Sequence, residues 1–336
     1  MSEYTAITKN AIVEDTEIGF DLYLRNGSNG NYKYVLFSRG NEQLSPKRRE
    51  ELLNNNSQKL YISSEDTDKY IKYREKNLSD IINDENKSTR EKSGALYQVA
   101  ENIVQDLLCD PKSGENMIRS SEWVNNTVTH IIKDEDAFSG LFEVAANNYS
   151  TYTHSVNTSV IGLLFGKYLS LTQHELDCLG IGLLLHDIGK LAIPPNVINR
   201  DGKITGTEFE TIKKHPKAGF DLLVHRNYIE GSSLKVVIQH HENRDGTGYP
   251  YGIGGKDIHM FGSIARIIDV YDAMTTNRSY SKAKRPFAVL AEMRDNMANC
   301  FNEELLMEFI SFLGPKDTRT KVRACDTLYS IPAVTG

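Results

Sequence analysis

The chain has 336 residues, of which 39% are hydrophobic and 25% charged, and its formal net charge is −6. This length exceeds one average domain and predicts two soluble domains that can each bury a core. The acidic balance argues against a DNA-binding face, although a small anionic ligand could still bind beside metal ions and a few local cations.

The cysteines and the apolar segments indicate the cellular compartment in which the protein is expected. Cys109, Cys178, Cys300 and Cys325 are widely spaced and form neither a zinc-finger nor a disulfide pattern, which is typical of reduced thiols. No stretch approaches the roughly 20 apolar residues needed to cross a bilayer. The N-terminus lacks a basic region followed by an apolar run, so we expect no signal peptide. The sequence predicts a cytoplasmic protein without membrane attachment.

Residues 1–76 read as a small α+β domain. Aromatic and β-branched runs at residues 20–24 and 32–37 flank the turn-rich segment 26–30 and predict a hairpin. A short helix is expected over residues 47–53, because Pro46 suits a first helical position. A further strand is expected over 59–62 and a helix over 66–78. This domain is interpreted as a sensor or regulatory module.

Residues 77–133 are expected to form a linker followed by connecting helices. The polar segment 77–94 is typical of a linker or an exposed helix. After Ala95, apolar residues recur at three- and four-residue steps, which predicts helices almost throughout. These helices could supply a dimer interface or pack on the catalytic domain.

Residues 134–336 are expected to form a helical domain. Thr172 with Glu175, and Thr205 with Glu208, fit capping boxes that begin helices. Strand signals are scarce up to Leu313. The predicted fold class is therefore mainly α, with an all-helical domain preceded by the small α+β domain.

Five of the nine histidines and two aspartates stand on or at the ends of predicted helices. They are His154, His186, Asp187, His215, His240, His241 and Asp269. Imidazole and carboxylate without cysteine suit iron or manganese at least as well as zinc. Seven donors exceed the needs of one tetrahedral ion, whereas two ions bridged by a carboxylate would use them all, an arrangement suited to phosphoester hydrolysis. Any one of these histidines could instead be a hydrogen-bonded core residue; the joint pattern favours ligands.

Two motifs among these residues carry a family resemblance. The run LLHDIGK at 184–190 resembles the signature of HD phosphohydrolases, and HHENRDGTGYP at 240–250 resembles the HHExxDGxGYP segment of the HD-GYP family. THSVN at 153–157, KHPKAG at 214–219 and DVYDAMT at 269–275 match the other family blocks in order. The resemblance covers roughly residues 149–313 and leaves out the N-terminal domain.

The resemblance implies an all-helical HD-type catalytic domain that hydrolyses cyclic di-GMP to the linear dinucleotide, and in some members on to GMP. It also implies two divalent ions, Fe or Mn, bridged by Asp187. The first ion would be held by His154, His186, Asp187 and Asp269. The second would be held by Asp187, His215, His240 and His241.

Four further residues receive roles from the resemblance. Lys190 would contact the scissile phosphate, unless it is a lysine interacting with a helix end, and Arg278 would grip a phosphate, unless it forms a surface ion pair. Asp272 would orient a ligand histidine. Tyr249 could cover the substrate, meet a partner protein, or anchor its loop.

Two positions depart from the family pattern. Ser150 stands where some members have a glutamate that supports a third metal, so two ions are expected here. Ser281 stands where many members have a basic residue that binds phosphate, and the adjacent Lys282 is a candidate substitute for it. Both changes bear on substrate affinity and on the second hydrolytic step.

Three alternatives remain open at the level of the sequence. The substrate could be the hybrid 3′,3′-cyclic GMP-AMP, since the sequence does not reveal which base is read. A nucleotidase or guanosine-tetraphosphate hydrolase is disfavoured by the HHENRDGTGYP segment. The chain could also be a non-catalytic adaptor that binds a cyclic dinucleotide or a diguanylate cyclase (GGDEF) partner. Its metal content would distinguish an adaptor from an enzyme.

Overall fold

The computed structural model describes most of the chain. The residues described are 3–7, 12–13, 16–27, 32–42, 45, 47, 50, 59–147, 153–198, 205–226, 228–276 and 283–314. The chain divides into two compact units. One comprises Met1–Ile103 with Lys133–Val144, and the other comprises Val104–Ile132 with Ala145–Gly336.

The first unit contains a four-stranded antiparallel sheet. Its strands are β1 Tyr4–Ile7, β2 Leu22–Asn26, β3 Lys33–Ser38 and β4 Leu60–Ser63, in the spatial order β1-β4-β2-β3. The predicted hairpin is confirmed by the pairing of β2 with β3, and the predicted strand near residue 60 is β4. The helix expected over residues 47–53 lies largely outside the described residues.

Helices complete the first unit. They are α1 Thr67–Lys76, α2 Leu78–Asn83, the beginning of α3 Thr89–Cys109, and most of α5 Ala137–Asn147. On α1, Tyr70 and Tyr73 join the buried Phe20 and the strand residues Leu22 and Leu60 in one apolar core, and both tyrosine rings meet Phe20 edge-on.

The polar segment at residues 77–94 contains α2 and the start of α3, and α2 has one buried face. Leu78, Ile81 and Ile82 of α2 are buried, although a linker or an exposed helix was expected here. Their spacing of three and four residues forms a single apolar stripe. The many charged neighbours occupy the opposite face and conceal that stripe in the composition.

The described residues of the second unit contain helices joined by loops, and no strand. Its helices are α4 Gly114–Lys133, α6 Thr153–Tyr168, α7 Gln173–Leu185, α8 Pro195–Ile198, α9 Gly206–Ile212, α10 His215–Leu223, α11 Gly231–Gln239, α12 Met260–Thr275, α13 Pro286–Asn296 and α14 Glu303–Leu313. Both predicted capping boxes are present, at the starts of α7 and α9. The expected all-α domain is confirmed within the described residues, and no described helix is long and apolar enough to span a bilayer.

Two glycines allow the helices of this unit to approach closely. A Cβ built on Gly182 of α7 would lie 2.7 Å from the Val236 side chain of α11. A Cβ on Gly189 would lie 2.0 Å from the His215 backbone oxygen, at the start of α10. Because neither contact leaves room for a side chain, the C-terminal ends of α7 and α11 and the N-terminus of α10 meet in one place.

Candidate metal centre

All seven predicted ligands come from helix ends or from α12, and they converge. His154 is the second residue of α6, His186 caps the C-terminus of α7, and Asp187 follows it. His215 begins α10, His240 caps α11 with His241 next in sequence, and Asp269 lies within α12.

A first group of donors surrounds one oxygen of Asp187. His154 Nε2 lies 3.7 Å and His186 Nε2 lies 3.5 Å from Asp187 Oδ2. Asp269 Oδ1 lies 3.1 Å from His154 Nε2 and 4.0 Å from His186 Nε2. Donors around one ion with bonds of about 2.1 Å are about 3 to 4 Å apart, so this spacing suits a single metal ion.

A second group surrounds the other oxygen of the same carboxylate. His215 Nε2 lies 3.3 Å and His240 Nε2 lies 3.9 Å from Asp187 Oδ1. The two Nε2 atoms are 3.1 Å apart, and His241 places a ring nitrogen within 4.8 Å of both. Asp187 therefore presents one oxygen to each group.

The other ring nitrogen of three histidines is fixed by a hydrogen bond to the backbone. Nδ1 of His186, His215 and His240 donates to the carbonyl oxygen three residues earlier, at 2.7, 2.8 and 2.9 Å respectively. A proton on Nδ1 leaves the lone pair on Nε2, the atom that faces Asp187. His186 Nε2 is buried and has no hydrogen-bond partner within the described part of the chain. An orphaned lone pair beside carboxylates fits a metal ion.

His154 is fixed by a carboxylate instead. Asp272 Oδ2 lies 2.6 Å from His154 Nδ1, and Asp272 Oδ1 accepts a hydrogen bond from Asn157 Nδ2 at 3.1 Å. Asn157 has no predicted role of its own, although it lies one turn after His154 on the same face of α6. Asp272 is thus in position to orient the His154 ring.

The protonation states of this cluster favour cation binding. Burial opposes ionisation of Asp187, but Lys190 and His186 outweigh it and hold the pKa of that carboxyl well below its usual range. Burial also opposes ionisation of Asp269, but the hydrogen bond from His154 and the nearby charges of His241 and His186 together hold the pKa of that carboxyl well below its usual range.

The histidines of the cluster titrate differently from one another. Burial lowers the pKa of His186, lowers that of His240 well below its usual range, and lowers that of His241 to about 3. These rings are neutral and ready to bind a metal. Burial also opposes charge on His154, but its hydrogen bonds to Asp269 and Asp272 raise its pKa to about 9.

Lys190 lies beside the bridging position. Its Nζ is 2.5 Å from Asp187 Oδ2, and its side chain is 37% exposed. The ammonium group therefore faces the first group of donors while remaining accessible to a ligand.

The loop after α11 covers His241. The Tyr249 ring stacks on the His241 ring, with centroids 4.6 Å apart and an interplanar angle of 29°, and the Tyr249 N–H donates to the His241 carbonyl at 3.1 Å. Burial raises the pKa of Tyr249. A Cβ on Gly248 would lie 2.3 Å from the Asn243 nitrogen, so only glycine fits where the loop folds back.

Glu242 supports this loop, a role that was not predicted from the sequence. Its side chain is buried, and its Oε1 accepts a hydrogen bond from the Tyr251 N–H at 2.8 Å. Burial raises its pKa against the opposing effect of backbone hydrogen bonds from the loop. The sequence signal that could have indicated this role is the position of Glu242, directly after the predicted ligands His240 and His241. The proposed phosphate-binding Arg278, and also Ser150, Ser281 and Lys282, lie outside the described residues.

The chain is similar in sequence to known proteins. The family model described as HD domain matches residues 142–305. Over 221 residues, the chain is 28% identical to cyclic di-GMP phosphodiesterase PA4108 of Pseudomonas aeruginosa, covering 65% of this chain and 53% of that protein. Over 138 residues, it is 31% identical to 3′3′-cGAMP-specific phosphodiesterase 2 of Vibrio cholerae, covering 41% of this chain and 26% of that protein.

A solved structure shares the fold. Bd1817, a HDG"Y"P protein from Bdellovibrio bacteriovorus, aligns with a TM-score of 0.65 and 19% identity, covering 92% of this chain and 99% of that one. The match to the curated relatives spans about half of the first protein and about a quarter of the second. The HD domain match over residues 142–305, the cyclic dinucleotide phosphodiesterases among these relatives and the motifs at the converging helix ends support the HD-GYP family for this part of the chain.

Proposed function

We propose that the chain is a metal-dependent phosphodiesterase that hydrolyses a cyclic dinucleotide at a dinuclear centre. The observation that carries the proposal is Asp187, whose two oxygens each face a separate group of donors. A carboxylate in this position can bridge two ions. Paired ions are suited to in-line displacement at phosphorus.

The proposed ligand sets follow the two groups of donors. His154, His186, Asp187 and Asp269 would hold one ion, and Asp187, His215, His240 and His241 would hold the other. The nitrogen and oxygen donors and the absence of a thiolate among these seven residues favour Fe or Mn. When bound, the ions would supply Lewis-acid polarisation of the phosphate and activation of water.

The remaining side chains have proposed roles toward the substrate. Lys190 would stabilise charge on the scissile phosphate or protonate the leaving oxygen, which its exposed ammonium beside Asp187 supports. Arg278 would bind a second phosphate. Tyr249 would border the substrate on the His241 side, and Asp272 would hold the His154 ring in place.

Cyclic di-GMP is the first proposed substrate, with the linear dinucleotide as product and GMP as a further product. It is supported by the activity in the name of the Pseudomonas relative. The hybrid 3′,3′-cyclic GMP-AMP is the second candidate, because the name of the Vibrio relative specifies that substrate. The two candidates share the phosphodiester chemistry and differ in one base.

Proposals about partners rest on the family alone. Residues 1–76 would act as a regulatory domain, residues 77–133 would connect it to the catalytic domain, and a diguanylate cyclase could bind the chain. The helices could also mediate a homodimer. Light scattering of the purified chain, with and without a diguanylate cyclase, tests both associations.

Turnover by the anaerobically purified chain tests the proposed function. Cyclic di-GMP and 3′,3′-cyclic GMP-AMP would be incubated separately with Mn²⁺- or Fe²⁺-loaded protein and followed by chromatography. We expect hydrolysis by the native chain and none by Asp187→Ala. The control Asp221→Ala removes an exposed carboxylate that pairs with Lys217 and should retain full activity. Metal binding without turnover of either compound would contradict the enzymatic proposal.

A further inference from the structure

A second cluster of metal-binding side chains lies at the other end of α7 and α11 from the candidate metal centre. His174 and Cys178 lie in the first half of α7, and Glu230 is the residue that precedes α11. Cys178 and His186 are eight residues apart, which corresponds to about 12 Å of helix axis. The cluster is therefore separate from the seven residues described above.

The three side chains converge with the spacing of a metal site. His174 Nε2 lies 3.2 Å from Glu230 Oε2, Cys178 Sγ lies 3.6 Å from Glu230 Oε2, and Cys178 Sγ lies 3.9 Å from His174 Nε2. Typical zinc bond lengths at tetrahedral angles place the corresponding donor pairs about 3.4, 3.6 and 3.6 Å apart. Each observed distance is within about 0.3 Å of its tetrahedral value.

The local fold holds these donors in place. His174 and Cys178 are four residues apart on one face of α7. Glu230 occupies the capping position of α11, yet its side chain makes no capping hydrogen bond and turns instead toward His174. Ser233 Oγ donates to the Cys178 carbonyl at 2.8 Å, which joins the two helices at the level of the cluster.

The charges around the cluster favour a cation. Asp177 adds a second carboxylate, and its buried Oδ1 has no hydrogen-bond partner in the described part of the chain. Burial and the charge of Glu230 raise the pKa of Cys178 to about 12, so the thiol is protonated until a cation stabilises the thiolate. His174 and Glu230 are exposed, which gives an ion access from solvent.

We propose that Cys178, His174 and Glu230 bind a zinc ion, with water in the fourth position. A thiolate, an imidazole and a carboxylate form a donor set that zinc accepts, whereas the seven ligands of the candidate centre include no thiolate. The ion would join α7 to the start of α11. The C-terminal ends of these helices present His186, Asp187 and His240, so zinc would stabilise the scaffold of the first centre.

Cobalt substitution tests the zinc site independently of turnover. Co²⁺ bound to a thiolate gives a sulfur-to-cobalt charge-transfer absorption, which a centre without cysteine cannot produce. We expect this band in the full chain and in Asp187→Ala, and we expect Zn²⁺ to abolish it. The same band in both proteins would separate this site from the proposed catalytic centre.

Matched variants assign the donors. Cys178→Ser should eliminate the band, whereas Cys109→Ser, at an exposed cysteine, should leave it unchanged. His174→Gln, on an exposed side chain, should weaken metal binding by about 100-fold or more. Loss of a residue that only orients a metal ligand already costs about 10- to 100-fold in affinity, and His174 is itself a proposed ligand. His225→Gln serves as its control. Absence of the band in the native chain, or its persistence in Cys178→Ser, would overturn the proposal.

Discussion

Gly189 and His215 are in direct backbone contact, because a Cβ on Gly189 would lie 2.0 Å from the His215 carbonyl oxygen. Gly189 belongs to the turn that directly follows Asp187, and His215 Nε2 lies 3.3 Å from Asp187 Oδ1. The absence of a side chain at position 189 therefore controls the approach of the bridging carboxylate to the second group of donors.

Gly189→Ala should move the Asp187 carboxylate away from the second group of donors. The added methyl must push the turn away from α10, and overpacking of this kind costs about 1 to 3 kcal/mol. We expect a lower unfolding temperature and reduced metal occupancy, measured by thermal unfolding and elemental analysis. Gly206→Ala is the control, since a Cβ at Gly206 has no neighbour within 4 Å. Equal behaviour of the two variants would contradict the role given to Gly189.

Much of this geometry follows from residue types and spacing in the sequence. The capping residues Thr172 and Thr205 mark helix starts correctly, and the seven ligands that the family resemblance implies lie close together. Helix capping depends on residues that are close in sequence, so it can be predicted locally. Side chains at helix ends can also readily present their donor atoms to a shared site.

The remaining features depend on tertiary contacts. The tight packing of the turn after α7 against the start of α10 decides which oxygen of Asp187 faces which histidines. The same packing requires glycine at position 189. The burial of Glu242 likewise follows from a loop that folds back on it. The apolar stripe of α2 was concealed because its polar neighbours dominate that segment of the sequence.

Asp272→Asn should weaken metal binding. The change keeps the shape of the side chain but removes the charge that lies 2.6 Å from His154 Nδ1. Loss of such a supporting carboxylate typically costs about 10- to 100-fold in metal affinity or activity. Competition with a chelator would measure the loss. Asp295→Asn, at an exposed carboxylate paired with Arg294, is the control, and an unchanged affinity in Asp272→Asn would exclude an orienting role for Asp272.

Metal uptake should release a proton from His154. The ring has a pKa of about 9 in the metal-free protein, so it is protonated at pH 7.5 and must lose a proton to offer Nε2 to an ion. Metal affinity should therefore rise with pH up to about 9, with release of about one proton per chain from this residue. Calorimetry in buffers of different protonation enthalpy measures the release. His154→Gln should lack that contribution, and equal release from both proteins would refute the assignment.

Lys190→Gln should impair turnover and leave metal binding in place. Lys190 contacts Asp187 but contributes no proposed ligand. Loss of a group that transfers a proton or stabilises phosphoryl charge costs about 100-fold or more in rate. The rate would be measured at saturating substrate and compared with Lys217→Gln, an exposed lysine on α10. A rate near that of the native chain would place Lys190 outside the reaction.

The central claim is that Asp187 bridges two ions in one centre. The most direct measurement is electron paramagnetic resonance of the Mn²⁺-loaded chain, combined with elemental analysis of the same sample. With the proposed zinc site removed by Cys178→Ser, we expect two ions per chain and the signal of an exchange-coupled pair. Adding Asp187→Ala to Cys178→Ser should abolish that signal. A single ion per chain, or two ions with the signal of isolated Mn²⁺, would contradict the claim.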